Sequence, residues 1–189
     1  AGVLTEVLPE TEKWGIDAIP GLVAAERAFG WKPDPLLRLA AIVPPDTERL
    51  TEMAKRLRLS KAEAAFFAAW ANAPAIPATI ADTAFDRMLY RSGAAGLATR
   101  LKLALAVARQ KTENDPSLLP EVARLKRLLA RAEAWQRPVL PVSGADVLEA
   151  GVAAGPRVRE LLQKLEEGWI EGNFNADRAT LIARLTSLV

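Results

Sequence analysis

Cysteine and histidine are both absent from the 189 residues. Without thiols there can be no disulfide, thiolate metal site or cysteine nucleophile. Without imidazole the chain lacks the commonest general base and transition-metal ligand. A Ser-His-Asp triad and a His-Asp phosphohydrolase site are therefore excluded. No apolar run approaches the roughly 20 residues that span a bilayer, so no membrane partner is expected. Ala1–Glu10 offers neither a basic n-region nor an apolar h-region, and the plain reading is a cytoplasmic protein without a secretory signal. The first residue is not methionine and already sits in a helical pattern, which reads as a piece of a longer protein.

Net charge is also scarce, at +2, yet it is unevenly spread. Residues 1–86 carry 9 Lys or Arg against 12 Asp or Glu, and residues 138–189 carry 5 against 7. Between them, residues 87–137 carry 11 against 4. A near-neutral whole with a basic middle has two readings. It fits an anionic partner lying across part of the surface, and it fits solvated helix faces neutralised by acids of neighbouring segments.

What is plentiful is helical pattern. No convincing alternating strand appears, and prolines and glycines cut the chain into short helices. A helix closes over Ala1–Leu8, stopped near Pro9. Ile16–Phe29 follows, with Gly30 as its stop and Pro20 as an alternative start. Leu36–Val43 lies between prolines. Asp46 is placed to cap the next helix, and Ser60 with Glu63 three residues later spells a capping box. Further helices are expected over Asp82–Ser92, Leu97–Lys111 (its start flanked by Gly93 and Gly96), Glu121–Trp135, Ala145–Ala150, from Pro156 onward, and Asp177–Leu188. The expected fold is all-α: a multi-helix body over residues 1–136 and a smaller helical tail over 137–189.

Two of these helices carry basic ridges. In Glu121–Trp135, Val122, Leu125, Leu128, Leu129, Ala132 and Trp135 share one apolar arc. Arg124, Arg127 and Arg131 form a stripe beside it, with Lys126 on the other flank. In Leu97–Lys111, Lys102 and Arg109 share one exposed line, and Arg100 and Lys111 another. Several point charges at helical spacing suit a phosphate chain, and arginine adds bidentate geometry. The tryptophans Trp14, Trp31, Trp70, Trp135 and Trp169 fall mostly at apolar helical positions, as core rather than base-stacking platforms.

The most ordered punctuation lies in "GADVLEAGVAAGPRVRELLQKLEEGWIEGNF", residues 144–174. Gly151 stands where a helix commonly ends in a left-handed residue. Gly155 precedes Pro156, and proline is favoured at the first helical position. Arg157 and Arg159 decorate the positive end of the following helix, at a typical cost of about 0.3–1 kcal/mol each. A nearby anion on the exposed amides would offset that cost. Read structurally, Gly-Pro is also an ordinary helix opening.

Pro141–Phe174 resembles the tail-proximal signature of bacterial class II CCA-adding tRNA nucleotidyltransferases and the related poly(A) polymerases: Gly-x-Asp-Leu, then a glycine, then Gly-Pro, then a helix. "AGVLTEVLPE" is similar to the close of that family's neck, and "RLAAIVPPD", "AKRLRLSKAE" and "LYRSG" to weaker body segments in the same order. The resemblance implies a parent enzyme that extends RNA 3′ ends from ATP and CTP. In that parent, Mg²⁺ is held by head-domain carboxylates in Gly-Ser and Asp-x-Asp signatures. Neither signature occurs here, so the resemblance implies the neck end, body and tail without catalytic residues, the head supplied in cis, and no nucleotide addition by this piece alone. Its partner would be tRNA or another RNA, held largely by shape and backbone. The candidate RNA-binding residues are Arg100, Lys102, Arg109, Lys111, Arg124, Lys126, Arg127, Arg131, Arg137, Gly155, Arg157 and Arg159. Two departures stand out. The family's His-Asp doublet after the neck is missing, and Arg159 replaces a glycine often found after the Gly-Pro turn.

Three other functions compete. The parent could be a poly(A) polymerase, or the chain could be a helical protein-interaction module with no RNA role. A helix-hairpin-helix clamp ranks last, because that motif wants its glycines two apart and Gly151 and Gly155 are four apart.

Overall fold

The computed structural model describes residues 6–11 and 18–189. Trp14, the start of a helix at Ile16 and most of the helix end over Ala1–Leu8 lie outside them. Among the described residues there are ten α-helices, two short 3₁₀ turns and no strand, an all-α fold. The helices are α1 (Ala18–Phe29), α2 (Pro35–Ala41), α3 (Thr47–Arg56), α4 (Lys61–Asn72), α5 (Asp82–Ser92), α6 (Ala94–Thr112), α7 (Leu119–Glu133), α8 (Gly144–Glu149), α9 (Pro156–Glu171) and α10 (Arg178–Thr186). No described helix is long and apolar enough to cross a membrane.

Side-chain caps set many of these boundaries. Asp46 Oδ1 accepts from the Arg49 amide at 2.9 Å. In the capping box of α4, Ser60 Oγ accepts from the Glu63 amide and Glu63 Oε2 from the Ser60 amide. Each such cap satisfies amides that the first helical turn leaves orphaned. Asp34 does the same for α2, accepting from Leu36 and Leu37, and Asp177 for α10. Gly30 and Gly151 end their helices at φ +67° and +92°, the left-handed region that costs an L side chain energy.

The chain divides into two compact units. The first takes Ala1–Ala78 and Ser92–Trp135; the second takes Thr79–Arg91 and Gln136–Val189. In the first, α6 is the central helix, packed against α1, α4 and α7. Its Leu97, Leu101 and Leu105 are fully buried. It begins at Ala94, three residues before the expected Leu97, and Gly96 lies inside its first turn. The reason is close packing: a Cβ at Gly96 would overlap the carbonyl of Ala69 on α4. A second cluster joins α2, α3 and α4 through Ala40, Leu50, Met53, Phe67 and Trp70. One buried acid, Glu26 on α1, is held by Arg38 of α2 at 2.6 Å.

In the second unit α9 packs against α8 and α10, burying Leu161, Leu165, Trp169 and Ile170. Tyr90 of α5 meets Trp169 and Phe174, with ring centroids 6.0 and 5.2 Å away. The Tyr90 hydroxyl donates to Glu166 at 2.6 Å. Of the tryptophans, Trp70 and Trp169 are core residues, whereas Trp31 and Trp135 are half-buried.

Candidate nucleic-acid interface

The Gly-x-Asp run of the second unit has a structural task. Asp146 is buried at the N-terminus of α8, where its Oδ2 accepts from the Ser143 amide at 2.7 Å and from the Ser143 hydroxyl at 3.0 Å. Its other oxygen pairs with the guanidinium of Arg178 at the start of α10. The Arg178 hydrogen bond, with the Ser143 amide behind it, holds the Asp146 carboxyl well below the usual carboxylate range. Arg178 also donates to the Pro141 carbonyl at 3.3 Å. One aspartate thus ties α8, α10 and the preceding link together.

Beyond this knot, α9 opens at Gly155-Pro156 with no side-chain cap. Gly155, Arg157 and Arg159 are all exposed. Arg157 is partly engaged, its Nη1 3.2 Å from Glu160 Oε2. Arg159 has no ion-pair partner among the described residues. Arg137 lies with its guanidinium carbon 4.2 Å from the centre of the Tyr90 ring, a cation–π contact. Nearby, burial and the Glu166 hydrogen bond raise the Tyr90 hydroxyl above its ordinary value.

In the first unit the expected basic residues split three ways. Some are taken by acids. Arg124 donates from Nε and Nη2 to both oxygens of Glu121, each at 2.7 Å, and from Nη1 to the Pro77 carbonyl at 3.3 Å. The hydrogen bonding between Arg124 and Glu121 holds Glu121 below its ordinary value and raises Arg124. Lys102 Nζ is 3.0 Å from Glu133 Oε1 and 5.7 Å from the Trp31 ring centre. Lys126 sits 6.0 Å from the Phe29 ring, which shares its cation with an aromatic face rather than an acid. Arg127 is exposed and Arg131 half-buried.

Two of the helix α6 cations are open. Lys111 is exposed and Arg109 half-buried, and neither has an ion-pair partner among the described residues. Arg100 departs from the exposed line expected for it. It is half-buried where α6 meets α4, Nη2 reaching the Ala71 carbonyl at 3.4 Å. Its Nε is buried with no acceptor, and burial lowers its affinity for the proton. Lys102 and Arg109, expected on another exposed line, are also half-buried, because α6 is flanked by three helices.

The acids that occupy Arg124 and Arg157 were readable beforehand: Glu121 and Glu160 stand three residues away on the same helix, a spacing that brings side chains together. Glu133 against Lys102 joins two helices and has no local signal. Among the described residues no group of three or more Asp and Glu is arranged to hold a metal ion.

The class defined by this fold is an all-helical protein with cationic helix faces. No protein-family model matches the chain. Over 56 residues it is 32% identical to the mitochondrial CCA tRNA nucleotidyltransferase 1 of Mus musculus, and equally so to that of Homo sapiens. The matched stretch is 30% of this chain and spans 13% of the length of these relatives. A relationship to CCA-adding nucleotidyltransferases is thereby supported, at low identity and over a limited stretch.

Proposed function

We propose that this chain is the helical neck-end, body and tail of a class II, bacterial-type CCA-adding tRNA nucleotidyltransferase, and that it holds tRNA by its phosphate backbone. The observation that carries this reading is the similarity to two CCA tRNA nucleotidyltransferases. The helical architecture and the Asp146-centred knot at the start of α8 are consistent with it. Both relatives are CCA-adding enzymes by name, which favours CCA over poly(A) addition by the parent. Nucleotide transfer, with its Mg²⁺, ATP and CTP, would belong to a head domain outside this sequence.

Within this reading, ion pairing ranks the candidate cations. A guanidinium already held bidentately by a carboxylate offers less to an external phosphate than an open one. Arg109, Lys111 and Arg159 are therefore the leading phosphate contacts; Lys126 and Arg127 follow by exposure. Arg124, Lys102 and Arg157 contribute less while their acids hold them. Filter binding of the chain to tRNA over a salt series tests this. Each contact neutralising a phosphate contributes about 0.7–0.9 to the slope of log K against log salt. Arg109→Ala and Lys111→Ala are each expected to lower the slope by about that amount, and Arg124→Ala by clearly less. Equal slopes for all three variants and the parent chain would remove α6 from the account. A stable dimer that retains no tRNA at low salt would favour a protein-interaction module instead.

A further inference from the structure

The first unit contains a cleft of about 640 Å³, within the 300–1,000 Å³ range of small-molecule sites. One side is a single face of α6, on which Arg100, Ala104, Val107 and Lys111 follow one another at helical spacing. Leu101 and Leu125 contribute to an apolar lining, and Arg124, tied to Glu121, stands among it. Val107 is 46% exposed, a large apolar side chain facing open space. The anomaly is Arg100. A guanidinium normally satisfies its five donors, and a buried charge without a partner is costly. Here Nε has no acceptor, and the one hydrogen bond from Nη2 is long, at 3.4 Å. Arg100 and Lys111 are eleven residues apart, about 16 Å of helix at 1.5 Å per residue, with an apolar stretch between them.

We propose that this cleft binds an anionic amphiphile: an apolar body along α6 and a single carboxylate or phosphate head on Arg100. The Arg100 charge at the cleft wall selects an anion, and the lining selects an apolar body over a sugar or a free inorganic ion. Lys111 marks the far end, where a longer body reaches solvent. This site goes beyond the RNA reading and does not depend on it.

Isothermal titration of the full chain with decanoate, decyl phosphate and 1-decanol, all below micelle-forming concentration, tests the proposal. At least one anion is expected to bind about tenfold or more tighter than the alcohol, the scale of a charge-assisted hydrogen bond; the ranking of the two anions identifies the head. Arg100→Met is expected to lose that preference while keeping a cooperative thermal transition, since an apolar side chain of similar reach tolerates the site. Ala104→Phe, which fills the cleft from its exposed face, is expected to lose all three ligands. Equal binding of alcohol and anions, a preference that survives Arg100→Met, or no binding of any probe would overturn the proposal.

Discussion

Among the described residues, two buried carboxylates contribute to the chain's sensitivity to acid. Glu26, only 3% exposed, is held below the ordinary carboxylate range chiefly by the hydrogen bond from Arg38, with the Arg38 charge assisting. Asp146 is held low by Arg178 and the Ser143 amide. For a carboxylate whose folded-state pKa is depressed, the folded state binds protons less readily than the unfolded one. Its contribution is complete above the unfolded pKa, about 4, and is lost as pH falls through the folded value. Thermal stability should therefore be level from neutral pH to roughly 5 and decline below about 4. Melting curves between pH 7 and 3 check this. Glu26→Gln and Asp146→Asn together should lower the melting temperature at pH 7 and flatten the acid limb. An acid limb as steep as that of the parent chain would place the responsible groups elsewhere. Asp146 also shows what a short motif can conceal. Its capping partner Ser143 is three residues away and legible, whereas Arg178 is 32 residues away and was not.

At the scale of single helices, the pattern was most readable where a polar side chain ends an apolar period. Asp46, the Ser60–Glu63 box and the span Asp82–Ser92 stand in the structure as expected. At the start of α6, tertiary packing overrode local punctuation. Gly96 reads as a boundary residue, yet it lies within α6 because the helix needs its missing side chain to approach Ala69. Gly96→Ala is accordingly expected to destabilise the chain, by about 1–3 kcal/mol for an overpacked contact, although alanine is the better helix former. Chemical denaturation measures the difference, and a stabilised variant would mean that α4 and α6 can separate at no cost. Helix α7 likewise starts at Leu119, two residues before the expected Glu121. Pro120 occupies its first turn, where a missing amide costs nothing.

For the molecule as a whole, composition pointed to a basic middle, but it could not show which charges were spoken for. Residues 87–137 supply most of the candidate cations, and several of them face Glu121, Glu133 or the Trp31 and Phe29 rings. The membership of residues 79–91 in the second unit left no mark in the sequence either, since their apolar residues would suit either core. The Arg100 cleft is invisible in one dimension because it arises from helices α1, α2, α4, α6 and α7 converging. With Arg109, Lys111 and Arg159 as the leading contacts, tRNA affinity should be modest and should fall with salt at a shallow slope. The most direct test of the central claim is the affinity of the chain for tRNA measured from 50 to 200 mM salt. Phosphate-backbone holding predicts a straight fall of log K with log salt, with a slope of at least about −2, the value for three single-strand-type contacts. Affinity that stays flat across the series, or no retention of tRNA even at 50 mM, would contradict it.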